Sequence, residues 1–250
     1  MKHSFLFTQL VRRDFSKKYK GTILGMIWSL LSPLLLLLIM RIVFTNFFGR
    51  GIPHYTTFLF CGNLFFSFFT EATNAGMVSL RNNAPIFTNI SIPKHLFVVA
   101  SNVQSLINFS LTLIVFFFFC FLDGIKFTQK FLLLIYPVLT MVCLTIGIGL
   151  ILSVLYVYFR DVIYLWDVFL RLLSYISAIF YSIDNYSERT QLLFHFNPVF
   201  LHINYFRKIV IDSIIPGIIY QGFLGLYSLL FLGVGILIYN FNKNKLIYHL

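Results

Sequence analysis

Lys17-Lys18-Tyr19-Lys20-Gly21-Thr22-Ile23-Leu24-Gly25-Met26-Ile27-Trp28 runs from a basic stretch straight into an apolar one. Residues 1–22 hold six Lys and Arg against one acid, Asp14, while residues 23–45 are apolar except for Ser29, Ser32, Arg41 and Thr45. Charge massed at the mouth of an apolar span is retained in the cytoplasm, so the junction predicts a membrane helix entered from that side. A signal peptide would read differently, because the apolar run exceeds the usual length and no small-residue cleavage site follows it. Before the junction, Phe7, Val11, Phe15 and Tyr19 recur at four-residue steps and Arg13, Lys17 and Lys20 fall elsewhere on the wheel. That is the pattern of an amphipathic helix lying in the headgroup plane.

The whole chain extends this reading. Of 250 residues 59% are hydrophobic and 11% charged, and the mean hydropathy is +0.87, so the chain is read as an all-α integral membrane protein. Six stretches reach the roughly 20 apolar residues a spanning helix needs: 23–45, 55–79, 96–122, 131–158, 162–183 and 218–241. This gives one transmembrane domain: an interfacial helix over 1–22, a six-span bundle over 23–241 and a tail over 242–250. An even count puts both termini on one side. Eleven Lys and Arg then fall in cytoplasmic segments and six outside, which predicts both termini in the cytoplasm. The net charge of +11 is thereby read as orientation charge and not as a nucleic-acid face.

Polar residues inside the spans narrow the possibilities. Asn63, Glu71 and Asn74 interrupt the second span, and such groups need protein or a water-filled cavity around them. Asp167 and Arg171 stand four apart on the fifth, on one helix face where they can pair. They have two readings, an internal salt bridge that fixes packing or a contact for substrate, and Glu71 is a further candidate partner. Arg41 can snorkel to the headgroups. Cys61, Cys120 and Cys143 lie in apolar stretches without C-x-x-C spacing and read as packing residues. The six histidines show no metal-ligand spacing, and His195 and His202 read as surface residues of an outer loop. No metal site is expected. Gly21 and Gly25 form a G-x-x-x-G at a helix entrance; Gly147 and Gly149 make no nucleotide fingerprint, because they lie in an apolar span with no strand before them. The chain has no G-x-x-x-x-G-K-[ST] loop, so it does not cradle ATP by that means.

Two connections carry more than a tether needs. Between the second and third spans, Arg81 to Lys94 is polar and bounded by prolines. Pro85 can open a short helix with Asn83 as its cap, presenting Ile86, Phe87 and Ile90 as an apolar knob. Such a knob either docks a partner or lies on lipid. Residues 197–211, Asn-Pro followed by an amphipathic run, are too short and too charged to span. They read as a helix dipping into the outer leaflet and returning.

Tyr19, Thr22, Leu24, Gly25, Trp28 and Pro33 resemble the signature opening the first membrane helix of type 2 ABC exporter permeases for O-antigen and related polysaccharides. Phe159-Arg160-Asp161-Val162, and Asn197-Pro198 followed by Arg207, are similar to that family's later features, and the match runs the length of the chain. One departure is the absence of a proline from Tyr175 to Tyr181. The resemblance implies a homodimer in the bacterial inner membrane, each copy joined to a separate nucleotide-binding ATPase subunit that holds ATP and magnesium. It implies that the coupling helix seated in that ATPase comprises Arg81, Asn83, Pro85, Ile86, Phe87 and Ile90. It further implies a sugar polymer on a polyprenyl diphosphate as cargo. Lys17, Lys18 and Lys20 then serve equally as orientation charge and as point-charge ligands for the diphosphate. Since spans one and five line the pore in the family, Trp28, Tyr175 and Tyr181 join Asp167 and Arg171 as channel candidates. A membrane-embedded transferase would need convergent acids or a histidine constellation near one interface, and a secondary transporter two related halves; neither pattern stands out.

Overall fold

Apolar periodicity of this density closes into helices, since a backbone in hydrocarbon must satisfy its own hydrogen bonds. The computed structural model describes residues 7–13, 27–48, 52–89, 93–184 and 186–246, and every regular element among them is helical. They are α1 (residues 7–13), α2 (Ile27–Phe48), α3 (Tyr55–Asn82), α4 (Ala84–Asn89), α5 (His95–Leu122), α6 (Ile135–Tyr158) entered through a 3-10 turn at Gln129–Leu134, α7 (Val162–Ile176), α8 (Glu188–His195), α9 (Pro198–Val210) and α10 (Ile218–Asn242). Three segments are long and apolar enough to cross a membrane by length and composition: His95–Leu122, Gln129–Tyr158 and Ile218–Asn242. The other three expected spans correspond to α2, α3 and α7.

The core is built around α3. It packs against α5 and α6, and α6 in turn lies along α10. The Tyr136 hydroxyl donates to the Gln221 carbonyl at 2.7 Å where α6 and α10 begin, and the Tyr158 hydroxyl to Asn242 Oδ1 at 3.2 Å where they end. These two helices therefore run parallel. Glycines permit the close approach. A Cβ on Gly147 would overlap the backbone of Phe231 and Leu232, and one on Gly235 would overlap Gly147. Gly149 meets Gly76 of α3 in the same way, with 3.1 Å between the Gly149 Cα and a Cβ on Gly76. Aromatic packing fills the other end of the bundle: Phe65 lies 4.8 Å from Phe206 and Phe116 lies 5.3 Å from Phe60, centroid to centroid.

Basic segments gather at one end. Lys94 Nζ donates to the Lys243 carbonyl at 3.0 Å, and the His95 amide to the Tyr239 hydroxyl at 3.2 Å, so the start of α5 closes over the end of α10. A cation against a helix C-terminus is favourably placed, although burial pulls the Lys94 ammonium below the ordinary lysine range.

The fifth apolar stretch departs from expectation. Its helix ends at Ile176, not near residue 183, and 15 residues rise only about 22 Å against a hydrocarbon core of about 30 Å. No proline stops it. Ala178 takes a left-handed φ of 49°, Ser177 Oγ turns back to the Leu173 carbonyl at 2.7 Å, and Ser177, Ala178 and Ile179 are buried as a turn.

Candidate functional site

At the basic end, α1 and α4 form one unit. Leu10 is buried with Phe97 and Ala100 of α5, and Phe7, Val11 and Ile86 pack against them. Arg13 Nη2 donates to Asn83 Oδ1 at 2.8 Å, and Asn83 Nδ2 to the Ser79 carbonyl at 2.7 Å. The described part of α1 thus packs against protein, with Phe7, Val11 and Ile86 still partly exposed. Asn83 commits its side chain to Arg13 and Ser79 while its carbonyl accepts the Ile86 amide at 3.0 Å. Pro85 is exposed as the second residue of α4. Arg81 lies 5.6 Å over the Tyr156 ring. Phe87 belongs to α4 with its side chain outside the described residues, and Ile90, Lys17, Lys18 and Lys20 lie outside them altogether.

A second site lies along α7. Trp166 anchors this helix to α3, its Nε1 donating to Thr73 Oγ1 at 3.2 Å and its ring 6.2 Å from Phe69. Beside that anchor a groove of about 360 Å³ is lined by Phe66, Thr70, Asp167, Leu170, Arg171 and Ser174. The structure thus brings Asp167 and Arg171 into one wall, but among the described residues they form no ion pair with each other: both are exposed and turned to the groove. Glu71 is bonded elsewhere, accepting from Asn108 Nδ2 of α5. Thr70 Oγ1 is buried with no hydrogen-bond partner, and Ser174 Oγ donates to the Arg171 carbonyl at 2.6 Å. Tyr175, 65% exposed, continues the helix, and its carbonyl accepts the Tyr181 hydroxyl at 2.8 Å. Trp28 stands exposed on a different helix, α2.

The broken end of α7 is held by a third cluster. Arg207 of α9 donates through Nη1 to the Ala178 carbonyl at 2.8 Å, through Nη2 to the Ile179 carbonyl at 2.8 Å, and through Nε and Nη2 to the Phe58 carbonyl at 3.2 Å. Its guanidinium lies 3.4 Å over the Phe58 ring. Tyr55 donates to the Phe180 carbonyl at 2.8 Å. Asn197 caps α9, its Oδ1 accepting from the amides of Val199 and Phe200, while its Nδ2 donates to Ser177 Oγ.

Helix α9 packs into the protein on most of its surface: Val199 to Ile203, Tyr205 to Arg207, Ile209 and Val210 are buried. His202 corrects the surface reading with it, being fully buried between the Pro198 carbonyl at 2.7 Å and Thr140 Oγ1 at 3.1 Å. Asn197-Pro198 carries the signal of a helix cap, although in the sequence it reads only as the head of an amphipathic run. The burial of Arg207 was not legible, because its partners are carbonyls of distant segments.

The chain matches the family model described as ABC-2 type transporter over residues 6–211. It is 26% identical over 216 residues to the O-antigen export system permease protein RfbA of Klebsiella pneumoniae, covering 84% of this chain and 83% of that protein. The RfbA protein of Myxococcus xanthus is 24% identical over 217 residues, 84% of this chain and 82% of its own. The polysialic acid transport protein KpsM of Escherichia coli is 22% identical over 249 residues, 97% of this chain and 93% of its own.

Proposed function

The chain belongs to the ABC-2 type transporter family, and from that premise we propose that it is the permease subunit of an ATP-driven exporter. Its cargo is a polysaccharide carried on polyprenyl diphosphate, with O-antigen the polymer, crossing the bacterial inner membrane. The observation that carries this reading is the run of similarity to O-antigen export permeases through more than four fifths of the chain.

The geometry supports a division of labour. Energy enters through a separate ATPase subunit that binds ATP and magnesium. Its docking surface is the α1–α4 unit, where Arg13, Asn83 and Ile86 tie the N-terminal helix to the loop between α3 and α5. A push on α4 then reaches the start of α5 through Phe97 and Ala100 without slack. Cargo moves along α7, whose groove sets charged and hydroxyl groups on an otherwise apolar helix. Two copies of the chain face each other across α2 and α7. All six apolar stretches cross or enter the bilayer, and both termini stay in the cytoplasm, in keeping with the basic end formed by Lys94, Lys243 and their neighbours.

Deleting the gene and quantifying polyprenyl-linked glycan inside the cell, alongside glycan on the surface, tests the proposal. Surface loss with internal accumulation, reversed only when this chain and an ATPase are both supplied, is expected. Surface loss without accumulation points to a defect in synthesis and overturns it.

A further inference from the structure

The groove between α3 and α7 holds more unused hydrogen-bonding capacity than packing requires. Asp167 and Arg171 stand at the i, i+4 spacing at which opposite charges ordinarily meet, yet each faces the groove and neither bonds the other. Thr70 and Phe66 of α3 form the opposite wall, the Thr70 hydroxyl itself being buried behind it. Leu165, Val168 and Leu172, all exposed and apolar, and the exposed ring of Tyr164 flank the two charges on the same helix. Ionisable groups in such a setting mark a pathway or a binding site.

We infer that this groove is a glycosyl subsite, in which Asp167 and Arg171 together hold the hydroxyls of a sugar unit as the chain passes. The inference rests on the exporter reading and names the part of the cargo that this site takes. A carboxylate only accepts hydrogen bonds and a guanidinium only donates them, whereas a sugar hydroxyl does both. Neighbouring hydroxyls of one ring can thus donate a hydrogen bond to Asp167 and accept one from Arg171. Phe66 supplies an aromatic wall for the apolar face of a ring. A diphosphate is disfavoured here, because the Asp167 carboxylate repels the anion that Arg171 would attract. The groove's 360 Å³ lies near the lower end of small-ligand pockets, about 300–1,000 Å³, so it takes a short segment of the polymer at a time.

The test is made in cells that synthesise the polymer, with the full chain and its ATPase. A photo-crosslinking residue is placed at Ser174, in the groove, and separately at Phe118, exposed on α5; glycan is labelled with radioactive sugar. Label captured at 174 at least five-fold above 118 is expected. Asp167→Asn and Arg171→Gln are expected each to lower surface glycan at least five-fold, with internal lipid-linked glycan rising and ATPase co-purification unchanged. The swapped pair, Asp167→Arg with Arg171→Asp, separates this role from a packing bridge: it keeps opposite charges at the same spacing but exchanges the donor and acceptor positions, so export stays low. Equal label at both positions, normal export from the neutral variants, or rescue by the swap each overturns the subsite. Failure of the gene deletion to accumulate lipid-linked glycan overturns the exporter reading itself, before any variant is made.

Discussion

Arg207 shows how one buried cation can settle the shape of a helix end. Where α7 stops, the carbonyls of Ala178 and Ile179 lose their helical partners, and that of Phe58 lies beside them; all three are taken by a single planar fork. Removing the fork strands the two turn carbonyls of Ala178 and Ile179, each worth about 1–3 kcal/mol when buried unsatisfied, whereas Phe58 lies within α3 and keeps a helical partner. Arg207→Met should therefore destabilise the protein by about 2 kcal/mol or more. Arg207→Lys should fall between, because an ammonium keeps the charge but cannot span the same carbonyls. Thermal midpoints of the detergent-solubilised protein, read by size-exclusion chromatography after heating, would give wild type above Lys above Met. A Met variant as stable as wild type would show that the fork does not hold this turn. Legibility at this scale divided by the distance over which a residue's role is set. Asp167 and Arg171 announced themselves as ions in an apolar span, but Thr70 and Phe66 looked like ordinary span residues until α7 was laid against α3. Arg207 read as one of the charges that kept the 197–211 helix from spanning, for the same reason.

At the scale of elements, apolar runs of more than twenty residues made α5, α6 and α10 legible, because length and composition suffice in a membrane. The end of α7 was not, since it is set by Ser177 and Ala178 against α9 and not by a proline or glycine in its own stretch. The meeting of α6 with α10 depends on two glycines that sequence alone left unassigned. Gly147→Ala or Gly235→Ala should force the helices apart and sharply lower the yield of monodisperse protein, for the added methyl meets backbone that has no rotamer to yield. Gly222→Ala and Gly233→Ala, with open space at both positions, should be neutral or gain up to about 1 kcal/mol from helix propensity. Equal behaviour of the two pairs would mean that the crossing is looser than described. The α1 helix gives a parallel case. Its periodicity was plain, but the surface that its apolar face covers was not, because protein and lipid ask for the same pattern. With Cys61, Cys120 and Cys143 replaced, Leu10→Cys and Ile86→Cys should cross-link in native membranes, as members of one cluster. Absence of the cross-link would return α1 to the bilayer surface.

For the whole molecule, the position of α7 raises a question that a single copy does not answer. The helix is anchored on one side by Trp166 and Leu170 and otherwise exposed, with Leu165 and Leu172 standing 70% and 58% free. Apolar exposure alone is what lipid requires. A groove carrying an unneutralised carboxylate and guanidinium is not, because charge facing hydrocarbon is strongly unfavourable and settles toward a bundle interior or a water-filled cavity. Among the described residues the groove has walls from α3 and α7. A second copy of the chain, set with its α7 against the first, would enclose it and place both charged walls on a shared axis. The polar face would then line a passage and the apolar face would seal it from lipid. In the cysteine-free background, Leu172→Cys should cross-link to itself across two copies, whereas Leu229→Cys on the exposed face of α10 should remain monomeric under the same oxidant. The opposite pattern would put α7 in lipid and leave the groove open to it, and the passage would have to be sought along another face.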